Sequence, residues 1–144
     1  MTDDDADDRQ LFTEALAEVD GSVECLTVGS VKESLALLDQ GYRPDLFFVD
    51  INLPEMNGWE CLRMMKKKGL LEDVPVVMYS TSSHQKDVET CRELGALGLI
   101  TKPSDYEKLK EMLTRVTGAV KNSLAGGHRV SRGSLPIETI NRAG

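Results

Sequence analysis

Two short, unbroken apolar runs constrain the fold of this chain more than any other feature. They are LFFV at residues 46–49 and VVMY at residues 76–79. Each run is too short for a buried helix, and its pattern is typical of a strand that is buried on both faces. Segments with apolar residues at helical spacing lie around and between the runs. Strand and helix therefore alternate, which predicts an α/β fold with a parallel sheet and helices on both faces.

Capping and turn residues give the expected boundaries of these elements. Ser30 and Ser104 each begin a capping-box pattern at a helix start, and Gly41 and Gly95 follow the ends of predicted helices. We expect strands at residues 23–28, 46–50, 75–80 and 97–100, and helices at about residues 7–19, 30–40, 59–68, 84–94 and 104–116.

Length and composition indicate one globular domain. The chain has 144 residues, of which 40% are hydrophobic and 28% are charged, and this is enough to bury a single core. We expect the domain to cover residues 1–117. Residues 118–144 are rich in Gly, Ser and Arg and lack helical periodicity, which predicts a flexible C-terminal tail.

The charge of the predicted domain limits its partners. Residues 118–144 carry four basic residues and one acidic residue, whereas residues 1–117 carry 13 basic and 23 acidic residues, a net charge of -10. A body this acidic repels the phosphates of nucleic acids, which argues against direct nucleic acid binding.

The sequence shows no membrane-span or signal-peptide pattern and no closely spaced cysteine pair. No apolar run approaches the roughly 18 residues of a membrane span, and the acidic start MTDDDADDR is unlike the basic start of a signal peptide. We therefore expect a cytoplasmic protein with no membrane partner. Cys25, Cys61 and Cys91 are widely spaced, and we expect them to be free, buried thiols.

Three polar residues of different chemistry lie where predicted strands end. They are Asp50, Ser80 and Lys102, and the carboxyl ends of parallel strands line the ligand site in sheets of this kind. Asp3 and Asp4 add two carboxylates before the first helix. Clustered carboxylates need a cation, and an all-oxygen set suits Mg²⁺. A carboxylate beside bound Mg²⁺ and a lysine is arranged to meet a phosphoryl group.

Five motifs occur together in a fixed order over about residues 3–117. They are the acidic DDD, the strand that ends in Asp50, and the segments LPEMNG, YSTSS and TKP. With this order and spacing, the sequence resembles the receiver domain of two-component response regulators, in particular the single-domain chemotaxis type. The resemblance implies a flavodoxin-like, doubly wound parallel sheet with strand order 2-1-3-4-5.

The resemblance also implies roles for the residues at the strand ends. Asp50 matches the phosphoacceptor, which takes a phosphoryl group from a phosphohistidine on a histidine kinase or histidine phosphotransfer protein. Ser80 matches the hydroxyl that moves to a phosphoryl oxygen, and Lys102 matches the lysine that pairs first with the aspartate and then with the phosphate. The implied protein is a signalling domain that acts on an unknown downstream protein, and not an enzyme in the usual sense.

Further positions match the metal site and the surrounding loops of the family. Asp3 and Asp4 match its acidic pair and would bind Mg²⁺ with Asp50 and the backbone carbonyl of Asn52. Asn52 and Ser82 match the positions that tune loss of the phosphoryl group, and since neither is ionised we expect a phosphorylated state of intermediate lifetime. Pro103 matches a proline whose preceding peptide bond is typically cis, and Gly58 matches a site where a side chain would clash.

Two features depart from the family pattern. Many receivers have an aromatic residue three positions before the lysine that swings inward on activation, and here that switch position is Leu99. Receivers also begin with an apolar strand of about five residues, whose burial contributes roughly 1.5 to 3 kcal/mol for each side chain, but only Met1 and Thr2 precede the acidic cluster here. We therefore expect a missing or truncated first strand, or one supplied by another segment.

Two other functions remain open from the sequence. The first is a receiver-like scaffold that binds proteins without phosphorylation, which the short first strand favours and the set Asp50, Ser80 and Lys102 disfavours. The second is a haloacid-type phosphatase, which would require an aspartate where this chain has Asn52.

Overall fold

The computed structural model describes residues 1–81 and 84–129 and confirms the alternating α/β order. The elements are α1 (Ala6–Val19), α2 (Val31–Asp39), β1 (Phe47–Asp50), α3 (Gly58–Lys67), β2 (Val76–Ser80), α4 (Gln85–Leu94), β3 (Gly98–Thr101) and α5 (Tyr106–Ala125), with a short 3₁₀ turn at Leu70–Glu72. The predicted ends of α1, α3 and α4 are correct to within about one residue. Ser30 caps α2 as expected, since its side chain accepts a hydrogen bond from the Glu33 backbone.

The sheet is parallel, with β2 between β1 and β3. Met78 is the partner of Val49 on one side and of Leu99 on the other. Side chains along β1 and β2 alternate between two apolar clusters, one on each face of the sheet. Helices α2, α3 and α4 contribute to one cluster and α1 and α5 to the other, so the sheet is covered on both faces, as the apolar runs predict.

A three-residue segment at the start of the chain takes the place of the first strand. Thr2 forms parallel bridges to Val28 on one side and to Val49 on the other. The Thr2 amide donates to Phe48 at 2.9 Å, and the Thr2 carbonyl accepts from Asp50 at 2.9 Å. The segments thus lie in the order Val28, Thr2, β1, β2, β3, which is the expected order 2-1-3-4-5, and the first strand is reduced to a bridge at Thr2.

This short segment also explains why the expected strand at residues 23–28 is wrong. Only Val28 of that range is bridged to the sheet. The hydrogen bonds Val28 amide to Met1 carbonyl (3.0 Å) and Asp3 amide to Val28 carbonyl (3.1 Å) join the two segments. A partner segment of three residues cannot pair with a strand of six, so the rest of the range is irregular.

Helix α5 is longer than the sequence predicts. It begins one residue after its N-cap Asp105, and not at Ser104, and it continues to Ala125, well past the expected end at residue 116. The expected flexible tail is therefore wrong for residues 118–125, which are helical. Lys121 pairs with Asp20 and donates to Ser22 at 2.8 Å, which fastens the extension to the end of α1. Residues 130–144 lie outside the described residues, and a domain boundary at residue 117 stays a prediction.

Two smaller expectations concern thiols and membranes. Cys61 and Cys91 are buried free thiols as expected, whereas Cys25 is only half-buried. Burial raises the pKa of Cys61 to about 12. Among residues 1–81 and 84–129, no helix combines the length and the apolar character that a membrane crossing requires.

Candidate functional site

The carboxyl ends of the three strands bring together the three residues singled out from the sequence. Asp50 and Ser80 end β1 and β2, and they are only 4% and 2% exposed. Lys102 follows β3, and its amide donates to the Ser80 carbonyl at 2.6 Å. The Lys102 Nζ lies 2.8 Å from Asp50 Oδ2. The side chains of Lys102 and Asp50 are therefore in contact, and Ser80 lies at the same edge of the sheet, while the chemical roles of the three residues stay predictions.

Lys102 contacts three carboxylates at once. Its Nζ lies 2.8 Å from Asp3 Oδ2, 2.8 Å from Asp50 Oδ2 and 3.1 Å from Asp8 Oδ2. Burial by itself would lower the pKa of Lys102, but the hydrogen bonds to Asp3, Asp50 and Asp8 outweigh it and raise the pKa above its ordinary value. The lysine is thus held as a cation at the centre of the acidic cluster.

Asp3 is the most deeply buried acid of the cluster. Its exposed fraction is 0%, and its Oδ1 accepts a hydrogen bond from the Asp5 amide at 3.0 Å. Arg9 donates to the Asp3 carbonyl at 2.7 Å. Burial raises the pKa of Asp3, and the nearby Asp50 carboxylate adds to this, while the hydrogen bonds from Lys102 and Asp5 act against it. A second cation close to Asp3 would therefore be stabilising.

The acidic cluster has the composition of a Mg²⁺ site. One carboxylate oxygen each from Asp3, Asp4 and Asp50 can be chosen so that all lie within 4.8 Å of one another. Asp3 and Asp50 are buried and Asp4 is exposed, so the cluster opens to solvent on one side. An all-oxygen set with access for water fits the preference of Mg²⁺ for few protein ligands and several waters.

The loop after β1 holds the second oxygen of Asp50. The backbone amide of Asn52 donates to Asp50 Oδ1 at 2.9 Å. This hydrogen bond fixes the carboxylate with Oδ2 toward Lys102. The expected metal contact of the Asn52 carbonyl stays a prediction. Asn52 is exposed, and Ser82, the other expected tuning position, lies outside the described residues.

Gly58 packs directly against the backbone of the phosphoacceptor candidate. Its amide donates to the Ile51 carbonyl at 3.0 Å. A Cβ atom at this position would lie 2.8 Å from Ile51 Cα and closer still to the Asp50 carbonyl oxygen. Both atoms belong to the backbone and cannot rotate away, so the predicted clash is present.

Pro103 and Leu99 are the two remaining positions that match the switch of the family. The peptide bond before Pro103 is trans, as are all peptide bonds that the structure describes, so the expected cis bond is wrong; trans is the lower-energy isomer of such bonds. Leu99 is completely buried and lies in the same apolar cluster as Val88 and Cys91 of α4. An aliphatic side chain in this place connects the sheet to α4 by packing alone.

The sequence model of the response regulator receiver domain family matches residues 1–114. The chain belongs to this family. This match and the observed α/β order confirm the expected receiver fold. Receiver domains are signalling domains, so this domain belongs to that class.

Related proteins and structures agree with this assignment. A chemotaxis protein CheY homologue of Campylobacter jejuni is 29% identical to this chain. The alignment covers 82% of this chain and 90% of the homologue. A protein-glutamate methylesterase/protein-glutamine glutaminase of Treponema denticola is 39% identical over 68% of this chain, but this match covers only 27% of that protein. The phosphorylated cyanobacterial phytochrome response regulator RcpA has 32% identity and a TM-score of 0.71, with 80% of this chain and 86% of that chain covered.

One residue of the site was missed by sequence reasoning. Asp8 contacts Lys102 from the first turn of α1, and none of the sequence motifs indicated this contact. Spacing gave no signal for it, because Asp4 precedes the N-cap Asp5 and lies outside α1, where the rule that residues four apart share one face does not apply.

The packing of Gly58 leads to a prediction about stability. Gly58→Ala is expected to lower the free energy of unfolding by about 1 to 3 kcal/mol, because the new methyl group overpacks against immobile backbone. Gly118→Ala is a matched control, since Gly118 lies in α5 with open space around its Cα. That change is expected to raise the free energy by about 0.5 to 1 kcal/mol. Urea denaturation of both variants measures the difference, and equal effects would contradict the close packing at Gly58.

Proposed function

We propose that this receiver accepts a phosphoryl group on Asp50 and passes on the signal by conformational change and protein contact. The donor is a histidine kinase or a histidine phosphotransfer protein. The observation that carries the proposal is the placement of Lys102 Nζ 2.8 Å from the buried Asp50 Oδ2, at the rim where β1, β2 and β3 end. The related RcpA, which is described as phosphorylated, supports the same chemistry.

The chemistry at the site is a direct transfer to a carboxylate. An Asp50 oxygen forms a bond to phosphorus while the bond from phosphorus to the donor imidazole breaks, and the electron pair of that bond returns to the imidazole nitrogen. The product is an acyl phosphate on Asp50. The protein contributes orientation and positive charge, while the donor supplies the reactive bond.

The residues around Asp50 have separate tasks in this step. The backbone amide of Asn52 donates a hydrogen bond to Asp50 Oδ1, and this bond limits rotation of the carboxylate. Lys102 offsets negative charge on the incoming phosphoryl group, and Ser80, the last residue of the neighbouring strand, would bind a phosphoryl oxygen through its hydroxyl. Bound Mg²⁺, held by Asp3, Asp4 and Asp50, would supply further positive charge for the phosphoryl oxygens.

Phosphorylation would alter the packing next to the site. It adds about -1.5 to -2 charge to a cluster that is already acidic, and Ser80, Lys102 and the neighbouring loop are the groups that respond. Leu99 has no polar tip to expose, so the output is a change of packing between β3 and α4 that a downstream protein detects in the cytoplasm.

A scaffold that binds proteins without phosphorylation is the second candidate. The reduction of the first strand to a bridge at Thr2 favours it, because the segment that presents Asp3 is only three residues long and buries much less apolar surface than a strand of about five residues. The buried contact between Lys102 and Asp50 favours the phosphoacceptor, since burying an ion pair without use for it is costly.

Intact mass spectrometry separates the two candidates. Incubation of the protein with Mg²⁺ and acetyl phosphate is expected to add one phosphoryl group, and prior removal of Mg²⁺ by a chelator is expected to prevent this. Absence of the adduct under conditions in which a control receiver reacts would favour the scaffold.

A further inference from the structure

All three N–H donors of the Lys102 ammonium group are engaged in hydrogen bonds. A lysine ammonium carries three N–H donors, and Lys102 directs them to Asp3, Asp8 and Asp50. The bond to Asp50 can pass to a phosphoryl oxygen, but a second hydrogen bond from Lys102 to the three oxygens of the phosphoryl group requires that Asp3 or Asp8 give one up. The identity of the released carboxylate therefore matters for the proposed function, on which this inference rests.

Asp8 is the carboxylate that can be released most easily. Its contact with Lys102 is the longest of the three at 3.1 Å, and its side chain is 39% exposed, compared with 0% for Asp3 and 5% for Asp50. Water can replace the lost hydrogen bond at Asp8, whereas the buried Asp3 would be left without its cation. A cleft of about 240 Å³, lined by Asp8, Lys102 and Pro103 among others, gives the released side chain room to turn.

Asp8 also brings negative charge close to the reacting oxygen. Asp8 Oδ2 and Asp50 Oδ2 contact the same nitrogen at 3.1 Å and 2.8 Å, so they lie no further apart than the sum of these distances. An incoming phosphoryl group is an anion, and a third carboxylate at this range repels it.

We propose that Asp8 competes with the phosphoryl group for Lys102 and thereby slows phosphoryl acceptance. Asp8 is a positioning residue, because it acts through Lys102 and not on the reacting atoms. Release of Lys102 from Asp8 accompanies phosphorylation of Asp50, and the exposed start of α1 senses the state of the site through this contact.

The test compares three variants at the start of α1. Asp8→Asn is expected to raise the rate of phosphorylation by acetyl phosphate about three- to tenfold, the size of effect that a partly exposed charge contact allows. It is expected to tighten binding of beryllofluoride, a phosphoryl mimic, by a similar factor. Asp8→Glu keeps the carboxylate and should stay near the wild type. Asp7→Asn removes the same charge from an exposed residue that does not contact Lys102 and should change both quantities less than twofold.

The outcomes distinguish this inference from the proposed function. Equal effects of Asp7→Asn and Asp8→Asn would show a general charge effect and overturn the inference, as would slower phosphorylation or weaker beryllofluoride binding in Asp8→Asn. In either case the wild type would still be phosphorylated. A wild type that neither forms an adduct nor binds beryllofluoride would instead overturn the proposed function, and the inference with it.

Discussion

Asp50→Asn is expected to abolish the phosphoryl adduct completely. The substitution keeps the size of the side chain and an oxygen that can accept from the Asn52 amide, but it removes the nucleophilic carboxylate. Lys102 keeps its contacts with Asp3 and Asp8, so the variant should remain folded. Intact mass spectrometry after incubation with Mg²⁺ and acetyl phosphate measures the loss.

Asp45→Asn is the matched control for this experiment. Asp45 is an exposed residue just before the same strand, and the same chemical change there should leave the adduct at the level of the wild type. An adduct of normal yield in Asp50→Asn would contradict the assignment and would direct the search to another residue, which fragmentation of the labelled peptide would identify.

Lys102→Met is expected to slow phosphorylation by about 100-fold or more, the usual effect of removing one well-placed positive or hydrogen-bonding group from a transfer site. The methionine keeps most of the apolar stem and removes only the ammonium. The buried carboxylates of Asp3 and Asp50 then face each other without a cation, and such a loss is expected to lower the free energy of unfolding at neutral pH by about 3 kcal/mol.

Addition of Mg²⁺ and a control variant give two further tests of the role of Lys102. Because the same acids form the expected metal site, Mg²⁺ should restore part of the lost stability in urea denaturation of Lys102→Met. Lys108→Met is the control, since Lys108 is exposed on α5 and its Nζ donates to the Ser104 hydroxyl at 3.4 Å, away from the acidic cluster. A Lys102→Met protein that is phosphorylated at the normal rate would contradict the role of the lysine.

The alternation of strand and helix was predictable because local pattern and burial agree. The apolar runs before Asp50 and Ser80 are buried on both faces of the sheet, and parallel strands place their carboxyl ends at one edge. That rule alone predicts that Asp50, Ser80 and Lys102 meet. The clash at Gly58 and the acidic cluster of Asp3 and Asp4 followed from the family pattern.

Features that depend on distant contacts were not predictable in the same way. Asp8 and Lys102 are 94 residues apart in the sequence, and spacing within α1 does not show which element its acids face. The last helix was expected to end near residue 116, but α5 continues through Gly118 to Ala125, with Val116 and Ser123 buried on either side of that glycine. The range 23–28 has the composition of a strand, but its neighbour in the sheet is too short to pair with it.

A crystal structure of the protein with Mg²⁺ and beryllofluoride tests the central claim most directly. The proposed function predicts beryllium bonded to an Asp50 carboxylate oxygen, with Lys102 Nζ and the Ser80 hydroxyl in contact with fluorine. A complex prepared under saturating conditions in which Asp50 carries no beryllium, or in which Lys102 points away from it, would contradict the account.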